Sequence, residues 1–123
     1  LKVLIVDDNQ DYAEGLADIL EAKGHAPHIA TSGPEALERI RGEDYDVTFL
    51  DVKMSGMNGV EALSAMLEIK PDAKVVMMTA YSVESLLEEA QRAGARAVLR
   101  KPLNMDDVFR LIENLPDRII LGG

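Results

Sequence analysis

The stretch Leu1–Asp7, LKVLIVD, is of strand length, and apolar side chains fill both alternating sets of its positions. That is the signature of a strand covered on both faces, as strands of parallel sheets are. Tyr45–Asp51 (YDVTFLD) and Ala73–Thr79 (AKVVMMT) repeat it. His25–Thr31 is a weaker, more polar strand carrying Pro27, which predicts an outer place in the sheet. Ala95–Arg100 is a short fifth strand. A helical pattern follows each of the five. Asp11–Lys23 presents Tyr12, Ala13, Leu16, Ala17, Ile19 and Leu20 as an apolar stripe and stops at Gly24. Ser32-Gly33-Pro34-Glu35 is a capping box, with Ser32 as cap and Glu35 reaching back, and its helix buries Ala36, Leu37 and Ile40 before ending at Gly42. Val60–Ile69 stops before Pro71. Val83–Ala93 turns Leu86, Leu87 and Ala90 inward, and Met105–Leu115 carries Val108, Leu111, Ile112 and Leu115 on one side.

Five alternations of strand and helix, joined by short gaps, predict the α/β class. The expected architecture is a single doubly wound (βα)5 domain, an open parallel five-stranded sheet with helices on both faces. The 123 residues suffice for one domain with a real core, and 47% apolar content is too high for a disordered chain. The absence of cysteine excludes a disulfide scaffold, a thiolate zinc site and a cysteine nucleophile. No apolar run reaches bilayer-spanning length and no signal-peptide pattern opens the chain, so the expectation is a cytoplasmic domain without membrane contact. With 22 acidic residues against 13 basic, net charge −9, direct nucleic-acid binding by this domain is not expected. Domain 1–115 is followed by a tail, 116–123, read as a linker or the start of a further segment.

Ligands of open α/β sheets bind beyond the carboxyl ends of the strands. Those ends carry Asp7-Asp8, Asp51, Thr79 and Lys101-Pro102. A lone Asp ending a strand is ordinarily a cap or turn residue, and a lone Lys is ordinarily solvated. Three carboxylates, a hydroxyl and an ammonium converging on one edge are a different matter. Close carboxylates repel one another, and a hard divalent cation relieves that repulsion; carboxylate, carbonyl and water are the ligands Mg2+ prefers. The same set suits phosphoryl chemistry, with Asp51 as nucleophile and Thr79 and Lys101 receiving phosphoryl oxygens.

These residues resemble a family. Asp7-Asp8, the segment Asp51–Gly59 (DVKMSGMNG), Met78-Thr79-Ala80 and Lys101-Pro102 look like the receiver domain of two-component response regulators, in order and with matching spacing. The resemblance implies a flavodoxin-like sheet of order 2-1-3-4-5. It implies that Asp51 is the phosphoacceptor, taking phosphoryl from a histidine kinase or histidine phosphotransfer protein. Asp8 and Asp51 would bind Mg2+ directly with the backbone carbonyl of Lys53, Asp7 would assist through water, and Thr79 and Lys101 would act as switch and catalytic groups. A conformational switch would then control an output domain or effector protein. It also implies a cis Lys101–Pro102 peptide, and a homodimer surface formed by the fourth helix, fifth strand and fifth helix. Such a domain is a signalling switch, not a metabolic enzyme, although receivers assist their own phosphorylation and dephosphorylation. The alternatives are a Mg2+-dependent phosphohydrolase with an Asp nucleophile, which wants a carboxylate where Lys53 stands, and a docking receiver that is not phosphorylated. A DNA-binding regulator, a hybrid kinase and a stand-alone receiver are all compatible parents.

The chain departs from the family pattern in places. Ser55 stands where Pro is common and Asn58 where Asp is frequent, with an effect expected on loop rigidity only. Val98 stands where many members carry the Tyr or Phe that turns inward when the Thr moves. Lys53 and Tyr81 flank the phosphoryl site and are expected to slow hydrolysis by crowding. His25 and His28 are read as solvated side chains, the methionines as core filler, and Glu84, Glu88, Glu89 and Arg92 as a solvated helix face, with partner contact as the alternative reading.

Overall fold

The apolar runs become strands because each can be covered from both sides. The computed structural model describes residues 1–54, 56–80 and 83–115. Their order is β1 (Lys2–Val6), α1 (Gln10–Ala22), β2 (Ala26–Ala30), α2 (Gly33–Gly42), β3 (Val47–Asp51), α3 (Gly59–Ile69), β4 (Val75–Thr79), α4 (Val83–Ala93), β5 (Ala97–Arg100) and α5 (Met105–Glu113). All neighbours pair in parallel, in the order β2-β1-β3-β4-β5. The doubly wound α/β class is as the strand–helix alternation led us to expect, and the strand order is the one the family resemblance implied. Pro27 sits on the edge strand β2, where a missing N–H costs the sheet little.

Alternation along β1 divides the core in two. Val3 and Ile5 join Ala13, Leu16, Ala17 and Leu20 of α1, Phe49, Met78 and Val108 of α5 on one face. Leu4 and Val6 join Ala36, Leu37 and Ile40 of α2, Leu63 and Met66 of α3, and Leu86 and Ala90 of α4 on the other. Met77 and Met78 are fully buried on opposite faces, the gap-filling role expected of them.

Helix ends follow local chemistry. Asn9 caps α1 by accepting from the Tyr12 N–H, and Gly24 at φ +89° follows the C-cap Lys23, a conformation that only glycine adopts without strain. Ser32 caps α2 through the Glu35 N–H at 3.2 Å. The reciprocal half of the expected box is shifted: the Glu35 carboxylate takes the Thr31 N–H and hydroxyl, each at 3.1 Å, so the glutamate reaches one residue past the cap. Ile19, expected in the buried stripe of α1, is 42% exposed. It lies seven residues from Tyr12, on the flank of the stripe set by Ala13, Leu16, Ala17 and Leu20.

His28 is not a free solvated side chain. Its ring meets Tyr45 edge-on at 5.5 Å, with Nδ1 2.8 Å from the tyrosine hydroxyl. Two apolar-bodied rings facing each other at the edge of the sheet cover one another's carbon surface. His25 Nδ1 lies 3.2 Å from the amino group of Leu1, and partial burial and that charge hold its pKa below the usual value. Among the described residues no helix is long and apolar enough to cross a membrane. Ser55, Tyr81 and the tail 116–123 lie outside the described residues.

Candidate functional site

β1 and β3 are neighbours, while the chain leaves β1 towards β2 on its other side. This reversal of order opens a crevice at the carboxyl ends of the two central strands. Asp51 is the last residue of β3, and Asp7 and Asp8 directly follow β1. The three carboxylates each bring one oxygen into a group whose members lie within 4.8 Å of one another. Asp7 is fully buried and Asp51 only 8% exposed, while Asp8 is open to solvent.

The two oxygens of Asp7 are both engaged. Oδ1 accepts from the Asn9 N–H at 2.9 Å, and Oδ2 from Lys101 Nζ at 2.6 Å. Lys101 Nζ also stands 3.5 Å from Asp51 Oδ2. Burial works against the charge on Lys101, but the hydrogen bond to Asp7 and the charges of Asp51 and Asp7 outweigh it and raise its pKa. Burial pushes the Asp51 carboxyl up from 3.8 to about 6, with the charge of Asp7 adding to the rise and Lys101 opposing it. A cation beside Asp51 would thus relieve a carboxylate that burial and Asp7 both hold against ionisation.

Thr79, 2% exposed, ends β4, and its carbonyl accepts from the Lys101 N–H at 2.7 Å. That bond ties the backbone of the two groups together. The Lys101–Pro102 peptide is cis. Lys53 lies two residues beyond Asp51, exposed, and lines a shallow groove with Val52, Asn58, Val60, Leu86 and Glu89. Val98 is half-buried opposite Met77 and packs against the α2–α4 side of the core. Its short branched side chain has no ring to swing. Glu84, Glu88, Glu89 and Arg92 are exposed along α4, as the face reading expected. The geometry therefore brings Asp7, Asp8, Asp51 and Lys101 into one constellation and sets Thr79 at the neighbouring strand end. Tyr81 falls outside the described residues.

Two participants were not singled out from the sequence. Gly59 opens α3 with its N–H 2.6 Å from the Val52 carbonyl, and a Cβ there would meet the Asp51 carbonyl oxygen at 2.6 Å. Tyr12, read only as a core residue, lies with its ring centroid 4.5 Å from Lys101 Nζ. Its place four residues after Asp8, on the first turn of the helix leaving the crevice, is the one sequence signal that pointed there.

A flavodoxin-like α/β sheet with an acidic cluster and a half-buried, ion-paired lysine at its switch point defines a narrow class. The sequence matches the response regulator receiver domain over residues 3–113, and the chain belongs to that family. It is 39% identical over 110 residues to a response regulator receiver protein of Anaeromyxobacter sp. (strain Fw109-5), an alignment covering 89% of this chain and 46% of that protein. The chain therefore spans about half the length of that relative. It is 33% identical over 107 residues to sporulation initiation phosphotransferase F of Bacillus subtilis (strain 168), covering 87% of this chain and 86% of that one. Among solved structures, response regulator protein TrrA of Thermotoga maritima, in complex with Mg2+-BeF, superimposes with a TM-score of 0.82 at 30% identity, covering 91% of this chain and 96% of that one. The chain is thus a signalling domain of two-component systems, and the phosphohydrolase and docking-only alternatives are not favoured.

Proposed function

We propose that this receiver takes a phosphoryl group onto Asp51 in a Mg2+-dependent reaction. The observation that carries the reading is the Asp51 carboxylate itself. It is nearly buried, pushed up towards neutrality, and within reach of two further carboxylates and one ammonium. Asp8 and Asp51, with the Lys53 carbonyl, would hold the cation. Asp7, whose oxygens already serve Asn9 and Lys101, would orient the site and assist through water. The donor set is all hard oxygen, which fits Mg2+. When bound, the ion neutralises charge on the phosphoryl oxygens and on the carboxylates that would otherwise repel the donor.

The chain's own residues then divide the work. Asp51 attacks phosphorus in line as the donor group departs. Lys101 turns from Asp7 towards the incoming oxygens, and Thr79 moves to donate its hydroxyl to one of them. Lys101 and Thr79 are joined through one backbone hydrogen bond, so movement of either is felt on both β4 and β5. The donor is a histidine on a kinase or phosphotransfer protein. The switched surface acts on an output domain or effector, with a homodimer through α4, β5 and α5 as one form of output. We assign residues 1–115 to the receiver and the reaction to the cytoplasm, in keeping with the family, with 116–123 as a linker or the start of a further segment. Lys53 and Tyr81 are assigned the modulation of phosphoryl lifetime, and Val98 removes the aromatic switch, so the output surface moves by other means.

Incubation with acetyl phosphate and Mg2+ followed by intact mass measurement is expected to show one added phosphoryl group, absent in Asp51→Asn. Equal labelling of that variant would overturn the assignment.

A further inference from the structure

Lys101 is bounded on three sides. Asp7 Oδ2 lies 2.6 Å from its ammonium, Asp51 Oδ2 lies 3.5 Å away, and the face of Tyr12 covers it at 4.5 Å from the ring centroid. The two carboxylates belong to the site already described. The ring does not, and its own position is fixed. The Tyr12 N–H is held by the Asn9 cap at 3.1 Å, and its hydroxyl accepts from the Leu103 N–H at 3.4 Å. The side chain therefore bridges the first turn of α1 and the segment just after Lys101.

We propose that Tyr12 is a positioning residue for Lys101, its ring face confining the ammonium to the side of the crevice where the phosphoryl group arrives. The inference rests on Asp51 being the phosphoacceptor. A lysine side chain has four rotatable bonds, and the two carboxylates hold only its tip, so on their own they leave its outward rotamers open. The ring closes them. An aromatic face also attracts a cation without fixing a hydrogen-bond direction. The ammonium can therefore slide from Asp7 towards a phosphoryl oxygen without leaving its cover. A carboxylate or amide at position 12 would hold it back, and an aliphatic side chain would cover it without attraction.

Acetyl phosphate is the probe, because a small donor removes any protein docking near α1. In that reaction an Asp51 oxygen forms the new bond to phosphorus while acetate leaves with the electron pair of the bond it breaks. Tyr12→Leu and Tyr12→Met are expected to slow the reaction roughly 3- to 10-fold, whereas Tyr12→Phe, which keeps the ring face, stays within about twofold of the parent. In a Lys101→Met background Tyr12→Leu should add no further slowing, since the group it positions is gone. In the metal-free protein the Lys101 side-chain methylene protons nearest the ammonium should show an upfield ring-current shift that Phe preserves and Leu abolishes. The proposal is overturned by a parent-like rate in Tyr12→Leu, by equal slowing with and without Lys101, or by Lys101 resonances that ignore the ring. Labelling of Asp51→Asn at the parent level would instead remove the phosphoacceptor reading, and this inference with it. Parent labelling confined to Asp51 with Tyr12 variants unaffected would remove this inference alone.

Discussion

Lys101 Nζ is nearer to Asp7, at 2.6 Å, than to Asp51, at 3.5 Å. The ammonium's first partner in the resting site is thus the fully buried carboxylate, not the one proposed to react. The reason lies in burial. Asp7 is shut off from bulk solvent and needs a counter-charge. Asp51 sits at the rim, where a metal ion or a phosphoryl group can reach it.

Removal of this ammonium should therefore destabilise the protein chiefly through Asp7. Lys101→Met is expected to cost about 2–3 kcal/mol of unfolding free energy at neutral pH in the absence of metal, since it strands a buried charge. Mg2+ should restore part of that loss by supplying the missing positive charge. Urea unfolding of parent and variant, with EDTA and with Mg2+, measures both. A variant as stable as the parent in EDTA would show that Asp7 does not depend on Lys101.

Asp51 gives the metal-free protein a pH dependence of definite sign. Its folded pKa, about 6, lies above the ordinary 3.8. A raised carboxyl favours the folded state fully below the ordinary value, and that contribution is lost as pH rises through 6. Above that pH, ionised Asp51 opposes folding by on the order of 1 kcal/mol, after allowance for solvent screening at the rim. Asp51→Asn should thus raise the urea midpoint at pH 8 in EDTA and leave it nearly unchanged at pH 4. Mg2+ competes with the same proton, so its affinity for the parent should fall below about pH 6. A midpoint difference that does not depend on pH would contradict the assignment of the raised carboxyl.

The sheet was readable because its strands are continuous apolar runs between glycine and capping signals. Leu1–Asp7 announces burial on both faces, and Pro27 marks β2 as an edge. The grouping of the candidate site was readable for the same reason, since Asp7, Asp8, Asp51, Thr79 and Lys101 lie where those runs end and the topology brings the ends to one rim. Contacts between groups on different elements were not. Apart from its place four residues after Asp8, nothing local separates Tyr12 from its stripe neighbour Ala13, although the ring covers Lys101 and the alanine is core. Glu35 reaches Thr31 and not Ser32 because the carboxylate finds both an N–H and a hydroxyl there. His28 meets Tyr45, seventeen residues away. In each case the deciding partner is set by packing, which spacing along the chain does not encode.

Asn58, where the family commonly has Asp, does more than shape a loop. Its Oδ1 accepts from the Glu61 N–H at 2.9 Å, and its Nδ2 donates to the Glu61 carboxylate at 2.7 Å. Asn58→Ala should cost about 1 kcal/mol through loss of the α3 cap. Asn58→Asp keeps the cap acceptor and sets two carboxylates together, so its cost should fall between Ala and the parent and shrink at high salt. Thermal or urea unfolding at two ionic strengths would separate the three. Equal stability of Asn58→Ala and the parent would mean the cap carries no weight here.

Gly59 offers the sharpest test of how the fold holds the phosphoacceptor in place. A Cβ at this position would stand 2.6 Å from the Asp51 carbonyl oxygen and 2.6 Å from the Val52 Cα. Both are backbone atoms, unable to turn aside, so the first turn of α3 must lift away from the end of β3. Gly59→Ala is expected to cost about 1–3 kcal/mol, the range for overpacking a tight contact. It should also weaken Mg2+ binding, because the backbone pressed by the new contact is that of Asp51 and the residue after it. Gly15 provides the control. It lies on the exposed side of α1 with nothing within 4 Å of an added Cβ. There the same substitution should stabilise by about 0.5–1 kcal/mol through helix propensity and leave Mg2+ affinity alone. Parallel urea titrations and Mg2+ binding isotherms for the two variants decide the matter. Were Gly59→Ala as stable and as metal-competent as Gly15→Ala, the close seat of α3 on Asp51 would not be what fixes the acceptor.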